Sequence, residues 1–315
     1  MHAMAAQPDI LARIAPGDMA TVPWDANVDG FAPLTVLAAR GRNDGPTLLI
    51  TAGVHGDEYE GPVAIARFMR ALDVGRLTGN VIAILVLNTA AWANHTRTTP
   101  MDVENLNRLF PGSASPAASP TTRFARAVFD AFTRRADVTI DLHAGGIALD
   151  HLPLAGWVTG DARGEALARR FGAAFTPWIM PAVPGVYTNE SHHAGNTAIG
   201  AEWRGRGMLD PAGVDAMLAG LRNVAAELGM IDAATSAPVD TGRAIDGDYV
   251  LAPCDGLLIA RVCVGQTVAA DAMLGELVDL AGNRLCEIRS PQPGTIAALA
   301  NRPNLHEGDI VAYVG

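Results

Sequence analysis

His55 and Glu58 lie three residues apart in Gly53-Val54-His55-Gly56-Asp57-Glu58, and a second histidine, His143, ends Asp141-Leu142-His143. Two imidazoles and one carboxylate form the ligand set of a catalytic zinc that keeps one coordination position open. Zinc takes imidazole nitrogen and carboxylate oxygen at about 2.0–2.2 Å, and one short loop can aim both His55 and Glu58 at a single point. A metal hydrolase also needs a base for water and cations for the oxyanion and the substrate. Glu202, in Ala198-Ile199-Gly200-Ala201-Glu202-Trp203-Arg204-Gly205, is the candidate base. A glutamate so placed can take a proton from water and pass it to a leaving amine. Arg97 and Arg108, in the polar run 95–112, are the candidate cations. A guanidinium can grip a carboxylate through two hydrogen bonds or steady the oxygen of a polarised carbonyl.

The neighbouring elements must deliver these side chains to one place. The apolar run 46–54 reads as a buried strand that carries His55 to the loop at its carboxyl end, with a helix over roughly 61–72 behind Glu58. A strand over 81–87 precedes the arginine loop, and 138–142 is the strand before His143. Helices are expected over 124–135, 162–171 and 211–228, the last opened by the Asp210-Pro211 signal. Strands alternating with helices from about 34 to 229 predict an α/β fold, its sheet largely parallel (mixed) and flanked by helices. The chemical residues fall at strand ends, where open α/β sheets place their ligands. Composition shifts near 232–238, which reads as a linker, so the division is an α/β hydrolase domain over 1–234 and an all-β domain over 235–315. Short apolar runs between glycine turns in the latter predict a small β module. It resembles the barrel-sandwich fold of lipoyl and biotinyl domains.

The chain contains no lysine, so its 23 fixed side-chain cations are all arginine. Schiff-base chemistry, a P-loop lysine and a lipoyl or biotinyl arm are thereby excluded, and the β module is left as a structural part or a wall beside the active site. Net charge is −10, which argues against nucleic acid or an anionic membrane surface as a partner. No apolar stretch approaches the roughly 20 residues of a membrane span. The first eight residues lack the basic and apolar regions of a secretory signal, so a cytoplasmic location is expected. Cys254, Cys263 and Cys286 have neither metal-knuckle spacing nor an even count, and read as buried reduced thiols.

Together these pieces resemble the succinylglutamate desuccinylase/aspartoacylase family of zinc-dependent amidohydrolases, related to the M14 carboxypeptidases. The resemblance is carried by Gly53–Glu58, Asn105-Leu106-Asn107-Arg108-Leu109-Phe110-Pro111-Gly112, Asp141–His143 and Glu202, in that order, with the β module matching as well. It implies a zinc carboxypeptidase-like fold with one zinc per chain on His55, Glu58 and His143, and Glu202 as general base and acid. It further implies that Asn107 and Arg108 grip a substrate carboxylate and that Arg97 polarises the scissile carbonyl; members of the family often form homo-oligomers, and nothing in the sequence fixes a number of subunits. The run Thr96–Asp102 and the Asn-Leu-Asn-Arg wording look most like the subgroup of the N-acetyl-diaminobutyrate deacetylase. In two places the chain departs from the family's usual wording: Asn105 stands where aspartate is commonest, and Trp203-Arg204-Gly205 replaces paired glycines after Glu202. Bulk and charge beside Glu202 suggest a distinct substrate pocket.

Other polar residues have plainer readings. Asp141 is expected to hold the far nitrogen of His143, as partners of metal-bound histidines do. Tyr187 is a candidate substrate contact, and His192-His193 read as pocket lining rather than a second metal site. Asp57 and Glu60 read as solvated or as partners of the ligands, and His151 and His306 as surface or core histidines. The reading is a zinc-dependent amidohydrolase that deacylates a small N-acyl amino acid. Its rivals are a metallocarboxypeptidase acting on short peptides and a non-catalytic binding protein of the same fold.

Overall fold

The computed structural model describes residues 9–233 and 243–315. Most of the expected linker, and the N-terminal segment read for a signal, lie outside them. The first part of the chain runs β1 (Asp18–Trp24), β2 (Leu34–Arg40), β3 (Asn43–Ala52), α1 (Glu60–Ala71), β4 (Thr78–Ile84), α2 (Thr89–Asn94) and α3 (Pro120–Ala131). It continues through β5 (Val138–Ala144), β6 (Leu149–Val158), α4 (Ala162–Phe171), β7 (Thr176–Met180), α5 (Tyr187–His193), β8 (Thr197–Gly205) and α6 (Pro211–Glu227). The C-terminal part is all strand: β9 (Asp248–Leu251), β10 (Gly256–Ala260), β11 (Thr267–Val268) and β12 (Met273–Val278). After these come β13 (Arg284–Arg289), β14 (Gly294–Ala300), β15 (Asn304–Leu305) and β16 (Ile310–Val314).

The sheet is mixed. Its centre, β4-β3-β5-β8, is parallel, while β2 and β1 continue it antiparallel on one side and β6 on the other. Every residue of β5 is buried, as expected of a central strand covered on both faces. One face packs on α1, α4 and α6 through Ile50, Phe68, Ile140, Phe171 and Leu221; the other packs against α3 through Leu49, Ile82 and Phe124. The parallel strands all end on one side, so the loops after β3, β4 and β5 converge there. Asp210 caps α6 by accepting from Ala212 N–H at 2.9 Å, as the Asp-Pro signal implied.

The C-terminal module is less separate than its composition suggested. β14 pairs antiparallel with β6 through Ala298↔His151, Leu299↔Asp150 and Ala300↔Leu149, and β16 and β9 extend the same sheet outward. A second sheet, β13-β12-β10-β15, closes over a core of Leu258, Leu274, Leu277, Ile288 and Ile296. The seam between the two parts is apolar, with Leu154, Trp178, Met180, Ala298 and Tyr313 packed together. The thiols are not all buried: Cys263 is exposed, while Cys254 and Cys286 are half-buried. That follows from two thin sheets with a small core. No helix of the described residues is long and apolar enough to cross a membrane.

Candidate metal centre and active site

The loop between β3 and α1 carries His55 and Glu58, and its path requires glycine. A side chain at Gly56 would collide with the carbonyl of Ala91 in α2, and the Gly56 N–H donates to Thr96 O at 2.8 Å. This contact ties the histidine loop to the segment that bears Arg97. Asn88 caps α2, accepting from Ala91 N–H at 3.0 Å and donating to Thr99 at 3.0 Å, so the arginine segment is held at both ends.

His55, Glu58 and His143 converge, each at most 7% exposed, with one candidate ligand atom per residue, all within 4.8 Å of one another. His55 Nδ1 lies 2.7 Å from Glu58 Oε1 and His143 Nδ1 lies 2.9 Å from Glu58 Oε2. The outer nitrogens face acceptors. His143 Nε2 is 2.6 Å from Asp141 Oδ2, and Asp141 is itself steadied by the Thr51 hydroxyl at 2.6 Å. His55 Nε2 is 3.1 Å from Asn105 Oδ1, an oxygen that also accepts from Asn107 N–H at 2.9 Å. Both rings therefore turn Nδ1 inward to the Glu58 carboxylate and Nε2 outward to an acceptor, and against burial Asp141 and Glu58 hold the His143 imidazole well above its usual value. Such a cluster calls for a cation between its members, and two nitrogens with one carboxylate suit a divalent metal. Burial raises Glu58, but the two histidines outweigh it and hold its carboxyl well below the usual range.

Around this cluster lies a cavity of about 90 Å3 lined by His55, Arg97, Asn107, Arg108, His143 and Glu202, with an apolar wall from β7 and the loop after it. Arg97 Nη1 is 3.3 Å from both His55 Nδ1 and Glu58 Oε1, at the mouth of the ligand set. Asn107 has its amide fixed: Oδ1 accepts from Tyr187 N–H at 2.7 Å, which leaves the NH2 end for the cavity side. The solvent-exposed Arg108 donates to the carbonyl of Asn107 at 2.6 Å. Glu202 sits across from His143 in the β5–β8 register, and its Oε2 is buried without a hydrogen-bond partner among the described residues. Burial, with repulsion from Glu58, pushes the Glu202 carboxyl up to about 8 against the opposing pull of His143 and Arg97.

Several residues fall elsewhere than the sequence suggested. Tyr187 does not join the cavity. Its ring is fully buried against Phe110, and its hydroxyl pairs with Thr133 at 2.8 Å. His192 and His193 do not line it either; they stand in the last turn of α5, where His192 is 3.2 Å from Asp161 and His193 is exposed. Trp203 and Arg204 do not shape the pocket. Strand alternation turns Trp203 into the core, where its N–H reaches Asp210 at 2.9 Å, and Arg204 is exposed. Asp57 and Glu60 are buried rather than solvated, accepting from the N–H groups of Ile147 and Asp210, both at 2.9 Å.

Three residues gain importance from the structure. Asn105 is the acceptor on the far side of His55. Tyr249 and Ile310 of the C-terminal module reach the cavity, and burial with repulsion from Glu202 pushes the Tyr249 hydroxyl up to about 12. His151 lines the cavity too, while His306 is exposed.

Residues 44–228 match the succinylglutamate desuccinylase/aspartoacylase catalytic domain. The Nα-acetyl-L-2,4-diaminobutyric acid deacetylase of Halomonas elongata is 30% identical over 298 residues, covering 90% of this chain and 84% of that protein. A succinylglutamate desuccinylase/aspartoacylase structure from Rhodobacter sphaeroides aligns with a TM-score of 0.79 at 28% identity, over 93% of this chain and 92% of that one. The product-bound ectoine utilization protein EutE (DoeB) of Ruegeria pomeroyi aligns with a TM-score of 0.82 at 26% identity, over 96% and 97%.

Proposed function

The chain belongs to the succinylglutamate desuccinylase/aspartoacylase family, and from this we propose that it is a zinc-dependent amidohydrolase that removes the acyl group of a small N-acyl amino acid. The observation that carries the reading is the cavity, in which His55 and His143 of the metal-ligand cluster, Glu202 and two arginines share one small space. Tyr249 and Ile310 of the C-terminal module wall that space beside Arg108 and Glu202, which suits a small substrate better than a long peptide. That favours a deacylase over the carboxypeptidase reading, and the intact cluster with Glu202 beside it favours catalysis over simple binding.

His55, Glu58 and His143 would hold one zinc, which when bound supplies Lewis acidity that polarises the acyl carbonyl and brings the pKa of water towards about 7. In its ionised form Glu202 accepts a proton from the attacking water and returns it to the departing nitrogen; no partner among the described residues occupies its Oε2, which is left for both steps. Arg97 donates to the carbonyl oxygen as negative charge builds there. Arg108 and the NH2 group of Asn107 bind the substrate carboxylate. The Halomonas elongata relative acts on Nα-acetyl-L-2,4-diaminobutyric acid, and a short acyl group is the one this cavity suits. We place the enzyme in the cytoplasm, where free thiols such as the exposed Cys263 persist.

The test pairs metal content with turnover. Wild-type protein should carry about one zinc per chain, lost in His143→Ala, and should release free amine from a panel of N-acyl amino acids. Zinc-loaded protein that releases none from the whole panel would overturn the deacylase reading.

A further inference from the structure

His151 is a polar residue of the cavity that the mechanism above leaves unused. Its side chain is 8% exposed, and its Nδ1 is buried without a hydrogen-bond partner among the described residues. The backbone cannot easily move it away. β6 pairs with β8 at His151↔Arg204 and with β14 at Ala298↔His151, so the position is gripped from both sides. Burial, helped by Arg97 and His143 and opposed by Glu58 and Asp150, holds the imidazole down at about 4, so the ring is neutral near pH 7. A buried polar atom left unpaired is costly, and a bound ligand that pairs with it recovers that cost.

The rest of the lining narrows the ligand. Arg97 and Arg108 are its cations, and both have roles at the carbonyl and the carboxylate. A second substrate carboxylate would meet no third cation among the lining residues. A neutral imidazole offers a lone pair to an N–H donor instead, and the cavity's aromatic residues, Trp178 and Tyr249, are compatible with a cationic amine.

We propose that His151 is a specificity-determining residue that accepts a hydrogen bond from a side-chain amine of the substrate, so that the cavity selects N-acyl diamino acids over N-acyl acidic or apolar amino acids. The proposal rests on the deacylase reading and adds the class of amino acid to it.

The experiment compares Nα-acetyl-2,4-diaminobutyrate with N-acetylnorvaline, which has the same length but ends in methyl, and with N-acetylaspartate. Zinc-loaded wild type should prefer the diamine, and His151→Leu should lower that preference by roughly 10- to 100-fold, chiefly through KM, as expected for one hydrogen bond to a charged group. His151→Gln keeps an acceptor and should retain part of the preference. A wild type that cleaves all three compounds without favouring the diamine overturns the proposal, as does a preference untouched in His151→Leu; the deacylase reading survives either result. A wild type that cleaves none of them overturns the proposal, and the wider panel of N-acyl amino acids then decides the deacylase reading separately. Calorimetric titration of wild type with 2,4-diaminobutyrate and with norvaline needs no variant, and equal binding of the two also overturns it.

Discussion

Glu202 on β8 is the direct register partner of His143 on β5. Neighbouring parallel strands present such partners on the same face, so the pleat of the sheet, rather than a loop, sets the candidate base beside a candidate metal ligand. Glu202→Gln preserves the shape and removes the base. Its metal content should equal that of wild type while kcat falls by about 10²- to 10⁴-fold. Elemental analysis and steady-state kinetics on the same preparation decide it, and undiminished turnover would remove Glu202 from its role.

Asn105 supplies the oxygen that faces His55 Nε2. Loss of such an outer partner weakens metal affinity by about 10- to 100-fold, so Asn105→Ala should do this in a chelator competition. Asn105→Asp keeps an acceptor in place and should stay closer to wild type. Equal affinity in all three proteins would mean that the ring orientation of His55 is fixed by something else.

The two tyrosines should separate cleanly. Tyr249→Phe removes a hydroxyl at the cavity and should raise KM with little change in Tm. Tyr187→Phe leaves the Thr133 hydroxyl without its partner and should cost about 1–2 kcal/mol of stability with KM unaltered. The reverse pattern would restore Tyr187 as the substrate contact.

The folded protein holds His151 at about 4, below its ordinary 6.5. As pH falls from 6.5 towards 4, the unfolded chain takes up this proton before the folded one does, so stability is lost over that window. The loss reaches about 3 kcal/mol at most, because each pH step of one across the window is worth about 1.4 kcal/mol. Thermal unfolding of wild type and His151→Leu between pH 4 and 7 should show a flatter dependence in the variant. Parallel curves would show that His151 is not what titrates there.

The parallel centre of the fold was legible because its strands are apolar runs with punctuated ends, and helix 162–171 has the bounds its periodicity indicated. The ligand cluster was legible because His-x-x-Glu and Asp-x-His are local patterns with a chemical reason for their spacing. β6 was not, since Asp150 and His151 interrupt its apolar run; they are polar in a buried strand because one meets Arg206 and the other lines the cavity. Tyr249 lies more than 40 residues beyond Glu202 and reaches the cavity only because β14 docks on β6, a pairing that no local pattern encodes. Tyr187 misled for the opposite reason. Its neighbours Val186 and Thr188 do line the cavity, and one step along the chain turns the ring into the core.

The docking of β14 also gives the C-terminal module a task unconnected with chemistry. Leu149, Asp150 and His151 form a stretch of strand edge whose backbone groups are satisfied by Ala298, Leu299 and Ala300. A chain shortened to residue 234 would bare that edge next to the apolar surface of Leu154, Trp178 and Met180. Exposed strand edges of this kind recruit further strands. The shortened protein should therefore self-associate rather than persist as a smaller monomer, which makes the module the hydrolase domain's protection against its own copies.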